Sequence, residues 1–249
     1  MAAFDSYVRL AETRIEGEVR NQGTFLYLDT MNEARRRTAE AALRRGEIVI
    51  EALKAPAAGK QVSIPDGRVH HWLGVGFIPG VRLEDAVKLL QDYDRHAEIY
   101  KPAVQRSQTL GRDGDRFRVF LRFYQKKLTI AVTVNSEHAA EFFRPAPDRA
   151  YSRIRSTRIA EVEDGGTARE REKPVGRDGG YLWRLNTYWR FLERDGGTYI
   201  QCESITLTRD IPFGFGWLVG PFVTSIPRES LTFTMERTRD ALTRRPPGR

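Results

Sequence analysis

One stretch near the C-terminal end decides the predicted fold, and it reads IPFGFGWLVGPFVTSIPRESLTFTMERTRDAL from Ile211 to Leu242. Its second half has the pattern of an amphipathic helix, because residues at one-turn spacing form a single stripe. The stripe comprises Leu231, Met235, Thr238 and Leu242. Pro227 suits the first turn of such a helix, where its missing N–H has no intrahelical acceptor. The stretch therefore predicts a long C-terminal helix that starts near Pro227 and lies on a sheet.

The first half of this stretch is apolar and rich in Gly and Pro. Its aromatic residues are Phe213, Phe215, Trp217 and Phe222. It is too short to cross a bilayer and too aromatic for an ordinary surface loop. Two interpretations stay open: it is ordinary core, or it is a hydrophobic collar that leads into the helix.

Length and composition indicate a folded protein, with 249 residues of which 40% are hydrophobic and 10% aromatic. Such a composition excludes a disordered chain. The net charge is +8, but the arginines are scattered through every segment. Scattered charge favours weak contact with an anionic membrane surface over a dedicated nucleic-acid groove, so we expect no nucleic-acid partner.

The cellular location is open. The first residues lack the basic and apolar regions of a signal peptide, and no run of about 18 apolar residues is present. The chain as written is therefore expected to be cytoplasmic, and it is periplasmic or secreted if a leader was removed. Cys202 is the single cysteine, which excludes an intrachain disulfide.

The N-terminal part predicts a helical extension over residues 1–46. Residues 1–28 show no clear period, whereas residues 29–45 contain strong helix formers and end at Gly46. This helix is basic, with Arg35, Arg36, Arg37, Arg44 and Arg45. It is either a solvated helix packed through its Ala/Leu side, or a docking surface for anionic lipid head groups.

Residues 47–249 predict an α+β domain. A strand is followed by two short helices over residues 83–100, about six meandering antiparallel strands, and the closing helix. One face of such a sheet is solvated, and the other is covered by the helix. A strongly curved sheet often cannot touch its helix everywhere, which leaves a cavity of the kind that binds ligands.

Alternation along two strands predicts which side chains face that cavity. Along residues 116–124 and 181–192, alternate residues are large and apolar. Tyr93 and Tyr100 are expected at the cavity mouth. The predicted ligand-binding residues are Tyr93, Tyr100, Phe117, Val119, Leu121, Phe123, Trp183, Leu185, Trp189, Trp217, Leu231 and Met235.

The sequence gives little support to a metal, cofactor or nucleophile site. His70 and His71 are adjacent on a predicted strand and point to opposite faces. The chain contains no His-Glu-x-x-His, no cysteine pair and no Gly-x-Ser-x-Gly. The pair Gly74 and Gly76 does not form a dinucleotide-binding loop, because no third glycine opens a helix. We expect no cofactor, no metal and no assigned catalytic residue.

Several short motifs resemble the helix-grip fold of the SRPBCC superfamily, over about residues 69–243. The motifs are Phe77-Ile-Pro-Gly80, Leu89–Asp94 with Tyr100-Lys-Pro102, Gly180–Asn186 with Tyr188-Trp189, and Ile211–Trp217 with Ser225–Leu231. This superfamily includes START-type lipid-transfer domains, birch-pollen-allergen-like proteins and polyketide cyclases, and the motifs are closest to an uncharacterised bacterial branch. The resemblance implies a curved antiparallel sheet of about six to seven strands around the C-terminal helix, with a hydrophobic ligand between them.

Three functions follow as hypotheses. The first is a non-catalytic module that binds, and in some settings transports, a hydrophobic small molecule or lipid. The second is a cyclase- or hydrolase-like enzyme for an acyl or polycyclic substrate, in which His96 acts with Tyr93 or Tyr100. The third is a basic protein that associates with RNA or a membrane through the Arg35–Arg45 helix.

Overall fold

The computed structural model describes residues 2–54, 64–127, 130–174, 176–210 and 216–244. Within these ranges the helices are α1 (Ala2–Arg20), α2 (Glu33–Arg44), α3 (Leu83–Gln91), α4 (His96–Ile99) and α5 (Gly216–Thr243). The strands are β1 (Val49–Ala52), β2 (Gly67–Pro79), β3 (Val104–Asp113), β4 (Arg116–Lys127), β5 (Ile130–Ala146), β6 (Arg149–Glu163), β7 (Arg171–Glu172), β8 (Arg184–Arg194) and β9 (Gly197–Arg209).

The strands form one antiparallel sheet with the order β1-β2-β9-β8-β6-β5-β4-β3, and β7 pairs with β6. The predicted α+β fold, a sheet closed by a long C-terminal helix, is confirmed. The described sheet has nine strands, more than expected, because the short β1 and β7 join it. The strand register shifts between Thr109 and Gly111 in the β3–β4 pair and between Glu137 and His138 in the β5–β6 pair, and such β-bulges bend strands locally.

Helix α5 covers the inner face of the sheet and packs mainly against β2 and β9. The close approach depends on Gly74 of β2. A Cβ atom at Gly74 would lie 3.0 Å from Cγ of Met235 and 3.1 Å from Cδ1 of Ile50. Leu231 and Met235 are buried in this contact, as the predicted stripe requires.

The start of α5 differs from the prediction. The helix begins at Gly216 instead of near Pro227, so Pro221 and Pro227 lie inside it. A proline within a helix removes one N–H···O bond, and a helix packed along its length can continue past that loss. The predicted collar residues Phe213 and Phe215 lie outside the described residues. The side chains of Trp217 and Phe222 are also not among those that the structure describes.

Helix α1 covers the outer face of the sheet. Its buried residues Phe4, Val8, Ala11, Ile15 and Val19 form one stripe. They join a core cluster that also contains Leu73, Val75 and Phe77 of β2. The expectation of a solvated outer face is therefore wrong where α1 lies, because this stripe and the outer face of β2 are both apolar. The proposed boundary at residue 46 stays a prediction.

Helix α2 confirms the helix predicted over residues 29–45, and Asn32 caps its N-terminus by accepting from the Arg35 N–H. Its arginines have acidic partners nearby: Arg35 with Glu51, Arg36 with Glu40, Arg37 with Glu33, and Arg45 with Glu47. Local pairing favours a solvated helix over an anion-docking surface. Among the described helices, none combines the length and apolarity needed to span a bilayer.

Candidate functional site

A cavity of about 270 Å³ lies between α5, the α3–α4 segment and the inner face of the sheet. It forms because α5 is held close to β2 and β9 by the glycine contact described above. The space toward β4, β5 and β6 is then not filled by the helix. Apolar side chains of these strands, among them Val119, Val134 and Ile154, form that wall.

Most of the predicted ligand-binding residues meet in this cavity. Those that line it are Tyr93, Tyr100, Val119, Leu121, Phe123, Leu185, Trp189 and Leu231. They come from α3–α4, β4, β8 and α5, which are distant in the sequence. The residues that alternation assigns to the inward faces of β4 and β8 therefore line the cavity, and their role in ligand binding stays a prediction.

Three predicted residues lie elsewhere. Phe117 packs beneath the cavity, with ring centroids 5.4 Å from Tyr93 and 5.7 Å from Phe142. Met235 fills the contact with Gly74. Trp183 donates its Nε1–H to Asp178 at 2.9 Å. Trp183 comes before the first residue of β8, so strand alternation does not set its direction. The side chain of Trp217 is not among those described.

Strand β9 also lines the cavity, and the sequence prediction missed it. Cys202, Ser204, Thr206 and Thr208 alternate along the strand and face inward. Three of these four residues are polar, so they do not stand out as an apolar stripe. His138 of β5 was missed because an isolated histidine gives no periodic signal.

Two polar groups on the α3–α4 side are buried without partners among the described residues. They are the hydroxyl of Tyr93 and Nε2 of His96. The two rings are in contact, with centroids 4.8 Å apart. Burial raises the pKa of Tyr93, and Tyr100 raises it further. Burial lowers the pKa of His96 to about 4, against hydrogen bonds to the Leu89 and Leu90 backbones.

Two further groups of cavity-lining residues, Nδ1 of His138 and the Thr206 hydroxyl, are also buried without partners among the described residues, whereas other polar groups bond within the protein. Tyr100 and Thr238 share a hydrogen bond of 3.0 Å, and burial raises the pKa of Tyr100 to about 12. His138 Nε2 lies 2.9 Å from the Ser136 hydroxyl, and burial lowers the pKa of His138 to about 4. Burial also raises the pKa of the Cys202 thiol. These groups are therefore uncharged at neutral pH.

The described residues that line the cavity include no Asp, Glu, Lys or Arg. The described part of the chain also contains no group of three or more His, Cys, Asp and Glu side chains suited to a metal ion. The cavity thus offers an apolar wall with a few neutral hydrogen-bonding groups. Such a wall favours an apolar molecule with little polar surface.

A second polar cluster lies on the outer face of the sheet and contacts α1. His71 of β2 lies between the Tyr7 hydroxyl, 2.8 Å from its Nδ1, and Glu203 of β9. Arg14 of α1 contacts Glu203, and Arg190 of β8 bonds Glu18 at 2.6 Å. His70 points to the other face and lies 3.1 Å from the Thr208 hydroxyl, as predicted for adjacent strand residues.

No protein-family model and no curated protein matches the sequence. Similar solved structures include a protein from Thermus thermophilus, with 18% identity and a TM-score of 0.48 over 68% of this chain and 94% of that one. A STAR-related lipid transfer protein from Xanthomonas axonopodis has 15% identity and a TM-score of 0.48, over 78% of this chain and 99% of that one. The Zhui aromatase/cyclase from Streptomyces sp. R1128 has 13% identity and a TM-score of 0.47, over 72% and 96%. Similarities with these sequence identities and TM-scores support no conclusion about function.

Proposed function

We propose that the protein binds a hydrophobic small molecule or lipid in the cavity between the sheet and α5, and can carry it. The observation that supports this function is the mostly apolar lining of a cavity of about 270 Å³, in which the described residues include no Asp, Glu, Lys or Arg. That volume lies just below the range of roughly 300–1,000 Å³ for ligand pockets. A single acyl chain or a compact ring system fits this size better than a two-chain lipid.

The hydrophobic effect is the main source of affinity for such a ligand. Each CH₂ group moved from water into the cavity contributes about 0.8 kcal/mol. A chain of moderate length therefore gains enough free energy to offset the cost of losing its free motion.

The test uses the purified full chain. Native mass spectrometry and solvent extraction report any co-purified guest, and a neutral naphthylamine fluorophore reports uptake by its increased emission. We expect a bound species or saturable fluorophore binding. A protein that co-purifies with no guest and takes up no fluorophore contradicts the proposal.

A pair of variants locates the binding. Leu121→Trp fills the cavity, because Leu121 lines it. Leu110→Trp makes the same change on the neighbouring strand, where Leu110 is 39% exposed. We expect Leu121→Trp to weaken fluorophore binding at least tenfold, the equivalent of about 1.4 kcal/mol, and Leu110→Trp to leave it unchanged. Equal effects of the two variants place the binding outside the cavity.

A second candidate function is the cyclase- or hydrolase-like enzyme. The unpartnered Nε2 of His96 beside Tyr93 favours it, since a free imidazole nitrogen can accept a proton. A pKa of about 4 makes His96 a weak base at neutral pH, so binding ranks first. The test is hydrolysis of a p-nitrophenyl acyl ester by the wild type and by His96→Leu. Equal rates remove this candidate.

A further inference from the structure

Four groups of cavity-lining residues are buried without a partner among the described residues, and two of them belong to adjacent rings, those of Tyr93 and His96. Tyr93 and His96 are 3% and 4% exposed, and both line the cavity. Neither the Tyr93 hydroxyl nor Nε2 of His96 has a hydrogen-bond partner among the described residues. A buried polar group left without a partner is costly, so a ligand that satisfies both groups gains affinity and a fixed orientation.

The two groups have complementary hydrogen-bonding roles. The backbones of Leu89 and Leu90 raise the pKa of His96, as carbonyls that accept from its N–H would, and we assign that N–H to the other ring nitrogen because Nε2 has no partner among the described residues. The neutral ring has a single N–H, and those carbonyls use it. Nε2 of His96 therefore carries a lone pair and accepts a hydrogen bond. The Tyr93 hydroxyl is free to donate one.

Among common polar groups, a hydroxyl matches this pair best. A hydroxyl donates its proton to Nε2 of His96 and accepts from Tyr93. A ligand carbonyl accepts from Tyr93 but leaves Nε2 without a donor. A carboxylate or an ammonium brings a charge into a cavity whose described lining has no opposite charge, which is strongly unfavourable.

We propose that the ligand is an uncharged, largely apolar alcohol or phenol, whose hydroxyl is held between Nε2 of His96 and the hydroxyl of Tyr93. This inference rests on the proposed function, because it assumes that the cavity takes up a hydrophobic guest. It assigns His96 and Tyr93 as the residues that determine ligand specificity.

The test compares competitors that share one chain and differ in their head group. Decanol, decanoate and decylamine are titrated against the protein loaded with the neutral naphthylamine fluorophore. We expect decanol to displace the fluorophore at a concentration at least tenfold lower than either charged competitor, a difference of about 1.4 kcal/mol. Displacement by decanoate or decylamine as effective as that by decanol overturns the inference.

Two variants test the assigned residues. Tyr93→Phe removes the donor and His96→Leu removes the acceptor, and each is expected to weaken decanol binding roughly fivefold to tenfold. Tyr199→Phe is the matched control, because the Tyr199 hydroxyl bonds to Asp195 and Tyr199 packs in the core cluster on the outer side of the sheet, away from the cavity. Its effect on decanol binding is expected to be below about twofold.

The outcomes separate the two proposals. Fluorophore binding is measured for each variant on its own, and the decanol displacement is referred to that value. If the wild type binds no fluorophore, the proposed function fails. If the wild type binds it and Tyr93→Phe keeps the full preference for decanol, the proposed function stands and the hydroxyl assignment is wrong. Should His96→Leu fail to fold, Tyr93→Phe decides alone.

Discussion

His71 and Glu203 face each other on neighbouring strands, with 2.6 Å between Nε2 and Oε1, and each side chain is only 1% exposed. Arg14 reaches the same carboxylate from α1. Burial on its own raises the pKa of Glu203, but His71, Arg14 and Arg190 outweigh it and leave that pKa lowered. This buried cluster attaches α1 to the outer face of the sheet.

Replacement of the buried carboxylate is expected to destabilise the protein. Glu203→Gln removes the buried negative charge that His71 and Arg14 contact, and Arg14 then keeps only its pair with Glu18. Loss of one member of a buried ion pair typically lowers the free energy of unfolding by about 3–5 kcal/mol. Urea denaturation of wild type and variant measures the difference.

The matched control makes the same chemical change at the surface. Glu33 pairs with Arg37 on α2, where the side chains are 66% and 74% exposed. Glu33→Gln is expected to change stability by less than about 1 kcal/mol, because water and salt screen exposed pairs. Similar losses in the two variants would show that the Glu203 cluster contributes no more than a surface pair.

The apolar stripe of α1 is expected to stabilise the whole fold. Ile15 is 5% exposed and lies in the core cluster between α1 and the sheet, whereas Leu10 of the same helix is 38% exposed. Ile15→Ala should lower the free energy of unfolding by roughly 2–5 kcal/mol. Leu10→Ala should change it by less than about 0.5 kcal/mol. A neutral Ile15→Ala would mean that α1 is not packed on the sheet in solution.

Stability is expected to fall as the pH is lowered from about 7 to about 4. Burial lowers the pKa of His70, His96 and His138 to about 4 each, from an ordinary value of 6.5. Between these values the unfolded chain binds more protons than the folded chain, so acid favours unfolding. The pKa of Glu203 is lowered from the ordinary value of 4.5. Protonation of Glu203 therefore lowers the stability only as the pH falls below about 4.5.

A histidine variant checks the source of this pH dependence. His138→Gln should reduce the slope of unfolding free energy against pH by at most about 1.4 kcal/mol per pH unit, the effect of one proton. Denaturant midpoints measured across the range give the slope. An unchanged slope in the variant would show that His138 titrates alike in the folded and unfolded chains.

The contact between β2 and α5 is expected to tolerate only glycine at position 74. Gly74→Leu forces a side chain into the space that Met235 and Ile50 occupy, and such overpacking costs about 1–3 kcal/mol. Gly17→Leu is the control, because a Cβ at Gly17 of α1 meets nothing within 4 Å. In that helix leucine should stabilise by up to about 1 kcal/mol. Thermal unfolding of both variants tests the opposite signs.

The sequence predicted the inner layer of the fold well, because the apolar residues of that layer recur at regular spacings. Phe117, Val119, Leu121 and Phe123 repeat at period two, and Leu231 and Met235 repeat at helical spacing. These residues then come into contact because one helix packs against one sheet. Trp183 was misplaced because it stands just outside a strand, where the alternation no longer applies.

The sequence predicted a helical extension over residues 1–46 but not that its first helix covers the outer face of the sheet, although part of that signal was present. Phe4, Val8, Ala11, Ile15 and Val19 recur at helical spacing, but charged residues between them resemble a loose alternation. The partners of those charges could not be inferred at all. Arg14 and Glu203 are 189 positions apart, and no local pattern records which distant strand a charged side chain meets.

Strand β9 serves two layers at once, since Cys202 and Ser204 face the cavity while Glu203, between them, faces α1. An outward shift of this wall would press Glu203 against Arg14 of α1, which already contacts it. The β9 wall of the cavity is therefore supported by α1. To admit a larger ligand, the cavity must expand through a movement of α5, whose contact with β2 depends on the fit of Met235 against Gly74.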